Sequence, residues 1–161
     1  MHTVRIYCAL FLSLAVATNA AATLRAPDFA LLDHTGKFHQ ASYYSDHDAI
    51  VILVESSETL ATERAQLALS NVAPLDLPER VKVVLLSPMA SEDRQNVHAA
   101  LGAAGHKLPV LIDETQLVTQ SLGLTRYGEV IVVNPETMAV LYQGDSTPIK
   151  APSDFEEAVP T

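Results

Sequence analysis

Four stretches of this chain are almost continuously apolar and short enough to be strands: Ile50–Val54, Val81–Leu86, Leu108–Ile112 and Val130–Val133. Runs of β-branched and aliphatic residues of this length predict strands buried on both faces. The segments between them follow a helical period. Leu60, Ala61, Arg64, Ala65, Leu67 and Ala68 set a stripe on one face, as an amphipathic helix requires. Val97, Ala100, Leu101 and Ala104 repeat the pattern, with Ser91 as N-cap, Glu92 and Asp93 in the first turn and Gly105 as terminator. A third, one-sided helix is expected from Asp113 to Leu122, ending at Gly123. Before the first long strand, Ala26–Leu32, the turn Asp33–Gly36 and Lys37–Gln40 predict a small hairpin. After the last, Asn134–Thr137 turns the chain so that Met138–Gln143 pairs back. The element order is hairpin, β, α, β, α, β, short α, β, β. It predicts a mostly parallel sheet with an antiparallel edge.

The chain is organised around Ile50–Leu69, where strand, polar loop and helix follow one another. That junction sits at the carboxyl end of a buried strand and faces the partial positive charge of a helix N-terminus. A redox protein would place Cys-x-x-Cys there, because the helix end lowers a thiol pKa. Here the residues are Thr59-Leu60-Ala61-Thr62, preceded by Glu55-Ser56-Ser57-Glu58. Neither hydroxyl is a ready nucleophile without an adjacent base, and no histidine lies in the segment.

Composition changes the picture in three ways. The formal charge of −9 argues against nucleic acid and anionic membrane surfaces, which select for Lys and Arg patches. The N-terminus reads as a signal peptide over residues 1–20: His2 and Arg5, the apolar Ile6–Val16, then small residues allowing cleavage after Ala20 or Ala22. Its apolar run is shorter than the ~20 residues a spanning helix needs, so no stable membrane insertion is expected once it is removed. The third point is Cys8, the single cysteine, which leaves with that signal. The mature chain then holds no thiol for a disulfide, a thiolate–metal bond or a sulfenic acid. No internal repeat or glycine-rich phosphate loop occurs.

The stretches Ala26–Lys37, Leu108–Glu114, Leu122–Arg126, Glu129–Pro135 and Val140–Gly144, in that order, resemble the thioredoxin-like superfamily. They resemble most the redoxin branch, of alkyl hydroperoxide reductase/thiol-specific antioxidant type. The likeness spans residues 26–145, with a proline-containing tail, 146–161, expected to be loose. It implies a three-layer α/β sandwich: a mixed central sheet with an N-terminal and a C-terminal antiparallel hairpin. It also implies a catalytic cysteine aligning with Thr59 or its neighbours, a second one, where the family has it, near Thr62, and a cis-proline before Val130, where Tyr127-Gly128 stands. The family's peroxidase pattern, Pro-x-x-x-Thr-x-x-Cys, is missing. Thr59, Thr62 and Gly128 are therefore vestigial catalytic positions, and the expectation is a domain relieved of redox duty.

Several functions follow from these readings. The favoured one is an exported, catalytically silent binding or accessory module for a periplasmic partner, needing no cofactor. Its binding face would be the old active-site mouth of Ser56, Ser57, Thr59, Thr62, Arg126 and Tyr127. The same hydroxyls equally suit helix capping, and Glu55 and Glu58 weaken an anion site. An antioxidant or oxidoreductase role would rest on family likeness alone. Metal handling would need His34, His39 and His47, with Asp46 and Asp48 beside them, to converge. Their spacing is irregular, and exposed loop residues would look the same. A Ser/Thr hydrolase would need a base, such as His98 or His106, brought to Thr59. An exposed apolar or tyrosine patch, from Tyr43, Tyr44 and Tyr127, would mark a binding module.

Overall fold

The computed structural model describes residues 24–73 and 78–146. The segment expected to be a signal peptide, residues 1–20, and residues 147–161 of the tail lie outside them. The elements are β1 (Ala30–Leu32), β2 (Phe38–Gln40), a 3-10 turn (Ala41–Tyr44), β3 (Ala49–Val54), α1 (Glu63–Val72), β4 (Val81–Ser87), α2 (Arg94–Ala103), β5 (Val110–Ile112), α3 (Leu117–Ser121), β6 (Glu129–Val133) and β7 (Val140–Asp145). Their order is the one the hydrophobic pattern predicts.

Five strands form one mixed sheet in the order β5-β4-β3-β6-β7. β3 pairs parallel with β4, and β4 with β5. β6 runs antiparallel to both β3 and β7. The antiparallel part is thus a hairpin docked on the central strand, more than a single edge strand. β1 and β2 make a separate antiparallel pair.

Apolar side chains on both faces of β3 explain the three layers. Val51 and Leu53 join Leu69 and Val72 of α1 and Val97 and Leu101 of α2. Ile50, Ile52 and Val54 join Phe29, Ala41, Leu122 and Leu124 on the opposite face. A strand covered on both sides must be apolar at every position, and all six residues of β3 are buried. Each edge of the sheet meets one isolated bridge. Asp33 bridges to Leu111 at the β5 edge, and Arg25 to Ala139 at the β7 edge.

Helix boundaries differ from the sequence expectation for local reasons. α1 starts at Glu63 because Thr62 is its N-cap, its hydroxyl accepting from the Ala65 N–H. Leu60 is buried in the preceding turn, whereas Leu67 points outward. The N-cap of α2 is Asp93, accepting from the Gln95 N–H, not Ser91. Glu92 turns inward instead of decorating the first turn. α3 is only five residues long. The Asp113 carboxylate takes both the N–H and the hydroxyl of Thr119, each at 2.7 Å, and Gln116 adopts φ +58°. Residues 113–116 therefore form a turn where helix was expected.

Candidate functional site

The junction after β3 is occupied by charge. Glu55 follows the last apolar residue of the strand, and its side chain is fully buried. Arg64, in the first turn of α1, donates from Nη2 to Glu55 Oε1 at 3.1 Å. The other oxygen, Oε2, has no hydrogen-bond partner. Burial pushes the Glu55 carboxyl above its usual value, against the opposite pull of the Thr59 hydroxyl and the Arg64 guanidinium. Gly128 closes the other side. Its backbone lies at φ +82°, and a Cβ there would stand 1.6 Å from Arg64 Nη1. Its N–H donates to the Val54 carbonyl at 2.8 Å, and its carbonyl accepts from the Ser146 N–H at 2.9 Å. Two constraints, backbone conformation and a guanidinium against the Cα, call for glycine at this one position. Ser146 is buried by this contact, so the first residue of the expected loose tail packs with the domain. No cis peptide occurs among the described residues.

The hydroxyls around the junction are spent on the turn itself. Thr59 Oγ1 accepts from the Ser56 N–H at 2.8 Å, and the Thr59 N–H donates to the Ser56 carbonyl at 3.1 Å. Thr62 Oγ1 donates to the Thr59 carbonyl at 2.7 Å while capping α1. Ser57 gives its N–H (3.2 Å) and hydroxyl (2.5 Å) to the Glu92 carboxylate. Glu92 also accepts from the Ser87 hydroxyl. One carboxylate thereby ties the β3–α1 turn to the loop after β4. Arg126 is exposed and held by Glu129 at 3.8 Å. Tyr127 is partly exposed beside it. Of the candidate residues, Ser56, Thr59 and Thr62 form one hydrogen-bonded turn, and the guanidinium that fills it belongs to Arg64.

The three candidate metal-binding histidines do not converge. His39 is buried between Asp33 (Nε2 to Oδ2, 2.8 Å) and the Tyr44 hydroxyl. His47 lies on Asp46 at 2.7 Å. His34 faces His98 instead, with ring centroids 6.2 Å apart. No group of three or more metal-ligating side chains occurs among the described residues.

Two features have no counterpart in the sequence reading. One is the Glu55–Arg64–Gly128 contact. Its only linear signal is a glutamate placed directly after a fully apolar strand. The other is a cavity of about 580 Å³ between the β1–β2 hairpin, β4 and the C-terminal end of α2, lined by Lys37, Lys82, His34, His98 and Lys107 among others. These residues come from separate elements, so no spacing could group them.

Solved structures share this fold. A thiol-disulfide oxidoreductase from Bacteroides fragilis superposes with a TM-score of 0.65 at 15% identity, over 83% of this chain and 98% of that one. A thioredoxin-like protein from Aeropyrum pernix gives 0.64 at 9% identity, over 82% and 88%. The fold is thioredoxin-like. A hypothetical protein from Sinorhizobium meliloti reaches 22% identity with a TM-score of 0.65, over 76% of this chain and 69% of that one. No family profile and no curated protein matches the sequence. Within the thioredoxin-like fold, the described residues of this chain carry no cysteine, and the junction after β3 holds a buried ion pair.

Proposed function

We propose that this protein is an exported, redoxin-derived thioredoxin-fold module that works in the periplasm by binding a partner protein and not by thiol chemistry. The observation that carries this reading is the closed junction after β3. Ser56, Thr59 and Thr62 bond to one another and to the helix end, and Ser57 bonds to Glu92. With Cys8 the only cysteine of the chain, and that one in the segment read as signal, no thiolate stands where the fold keeps its reactive pair.

An exposed apolar group on the β1–β2 hairpin supports the binding half of the reading. Leu32 lies opposite Phe38 in the pairing register, and the Phe38 and Tyr43 rings meet edge to face at 5.9 Å. Tyr43 is 68% exposed and Phe38 48%. Aromatic side chains held in this way are the usual anchors of protein interfaces. Tyr44 does not contribute, because it packs on the core.

The test is insulin reduction by dithiothreitol with the exported protein recovered from periplasmic extract. The expected rate equals that of the protein-free blank, and turnover above it would overturn the reading. A Thr59→Cys/Thr62→Cys variant is the control. If thiols are all that the site lacks, the variant exceeds the blank. Recovery of the protein only from the cytoplasmic fraction, with residues 1–20 intact, would refute export.

A further inference from the structure

We propose that the cavity between the β1–β2 hairpin and α2 is a binding site for a small multivalent oxyanion, bearing phosphate or carboxylate groups. The inference goes beyond the preceding reading and stands whether or not the junction after β3 is silent.

Charge is the first ground. The chain carries four lysines and a formal charge of −9, yet Lys37, Lys82 and Lys107 all line this one cavity. Asp33 is the one carboxylate among the lining residues, and it is already consumed. Its Oδ1 accepts from the Thr35 N–H and hydroxyl and from the Lys37 N–H, and its Oδ2 bonds to His39. With histidines neutral the lining sums to +2, three lysines less one aspartate. A cationic concavity on an acidic protein concentrates anions against the mean field.

Like charges facing each other are the second ground. Lys82 is half-buried, and burial and the neighbouring Lys37 ammonium depress its pKa against the opposite pull of the Asp33 carboxylate. Its Nζ sits 5.4 Å from the centre of the Tyr44 ring, which steadies it without neutralising it. His34 and His98, neutral in the charge sum, face each other beside the lysine pair with ring centroids 6.2 Å apart. Asp33 is the carboxylate that acts on Lys82 and on His34, and its oxygens are already bonded to Thr35, Lys37 and His39. An oxyanion in the cavity would relieve the lysine repulsion and accept from the imidazole N–H groups.

Fixed donor direction is the third. His34 Nδ1 accepts from the Val110 N–H at 3.3 Å, so the neutral ring carries its proton on Nε2 and offers a donor. The neighbouring cleft adds Arg94 beside His34 and His98. The end of α2 presents little competing negative dipole. Its Leu101 and Gly102 carbonyls are taken by the N–H groups of His106 and Gly105. The volume, about 580 Å³, falls in the range of small-molecule sites, and Leu101, Leu108 and Pro109 give it an apolar wall.

The experiment is titration calorimetry of the full exported chain with pyrophosphate and, separately, citrate, at low and at raised salt. Saturable one-to-one binding of either probe, weakened by salt, is expected. Preference for one of them identifies the headgroup. Lys37→Gln/Lys82→Gln should lower affinity by at least about tenfold, while Arg126→Gln, a cation outside the cavity, should leave it within about twofold. Thermal melts check that both variants fold, and the probe should raise the melting temperature of the parent chain but not of the double-lysine variant. Absence of saturable binding by both probes, or equal weakening by Arg126→Gln, would overturn the proposal.

Discussion

Gly128 is held by two demands at once. A Cβ at this position would displace the Arg64 guanidinium, and φ +82° strains any L side chain. Gly128→Ala should therefore swing Arg64 away and strand the buried Glu55 carboxylate. Arg64 is 41% exposed and can move, so the backbone strain at Gly128 sets the main cost, roughly 1–3 kcal/mol, read by urea unfolding. Two carboxyls give opposite pH signatures. Burial opposes ionisation of Asp33, but hydrogen bonds from Thr35, His39 and Lys37 outweigh it and lower its pKa to about 2. Its contribution of about 2 kcal/mol is present above the ordinary value of 3.8 and is lost as pH falls through about 2. Asp33→Asn should abolish that part of the acid limb. Glu55 is displaced upward from 4.5. Its favourable, protonated form is complete below 4.5, and the advantage is lost as pH rises through the raised value. Glu55→Gln should thus melt at least as high as the parent at neutral pH and lose that advantage at pH below 4.5, as melts across pH would show.

At the scale of elements, the strands were legible because burial on both faces writes itself as unbroken aliphatic runs, as in Ile50–Val54. Helix starts were less so, because several side chains near each start could cap. Ser91 and Asp93 were both eligible, and the inward pull of Ser57 and Ser87 on Glu92 settled the choice for Asp93. That tie spans 35 positions and leaves no local trace. The buried junction was illegible for the same reason: Glu55 and Gly128 are 73 positions apart, and periodicity says nothing about which strand-end side chain turns inward. Thr62 offers a clean probe, being exposed apart from its cap. Thr62→Ala should cost about 1 kcal/mol without altering the sheet, read by denaturant midpoint at unchanged slope.

Across the whole molecule, stability should be graded from the sheet outward. β3 lies between β4 and β6 with every residue buried, whereas the β1–β2 pair is three residues long and half-exposed. Hydrogen exchange should find β3 and β4 amides opening only with global unfolding and the hairpin amides opening earlier. Protection of the hairpin equal to that of β3 would contradict this gradient. The antiparallel docking of β6 on β3 also bears on how the chain is made. Ile50 pairs with Val133, 83 positions later, so synthesis or translocation in the N-to-C direction delivers β3 long before its second neighbour. During that interval β3 can pair with β4, but its other edge stays open and apolar. Closure waits for nearly the entire domain, and such distant pairings fold slowly. Truncation anywhere before residue 129 should therefore leave that apolar edge of β3 unpaired and yield an aggregate, not a smaller fold, as size-exclusion chromatography would show.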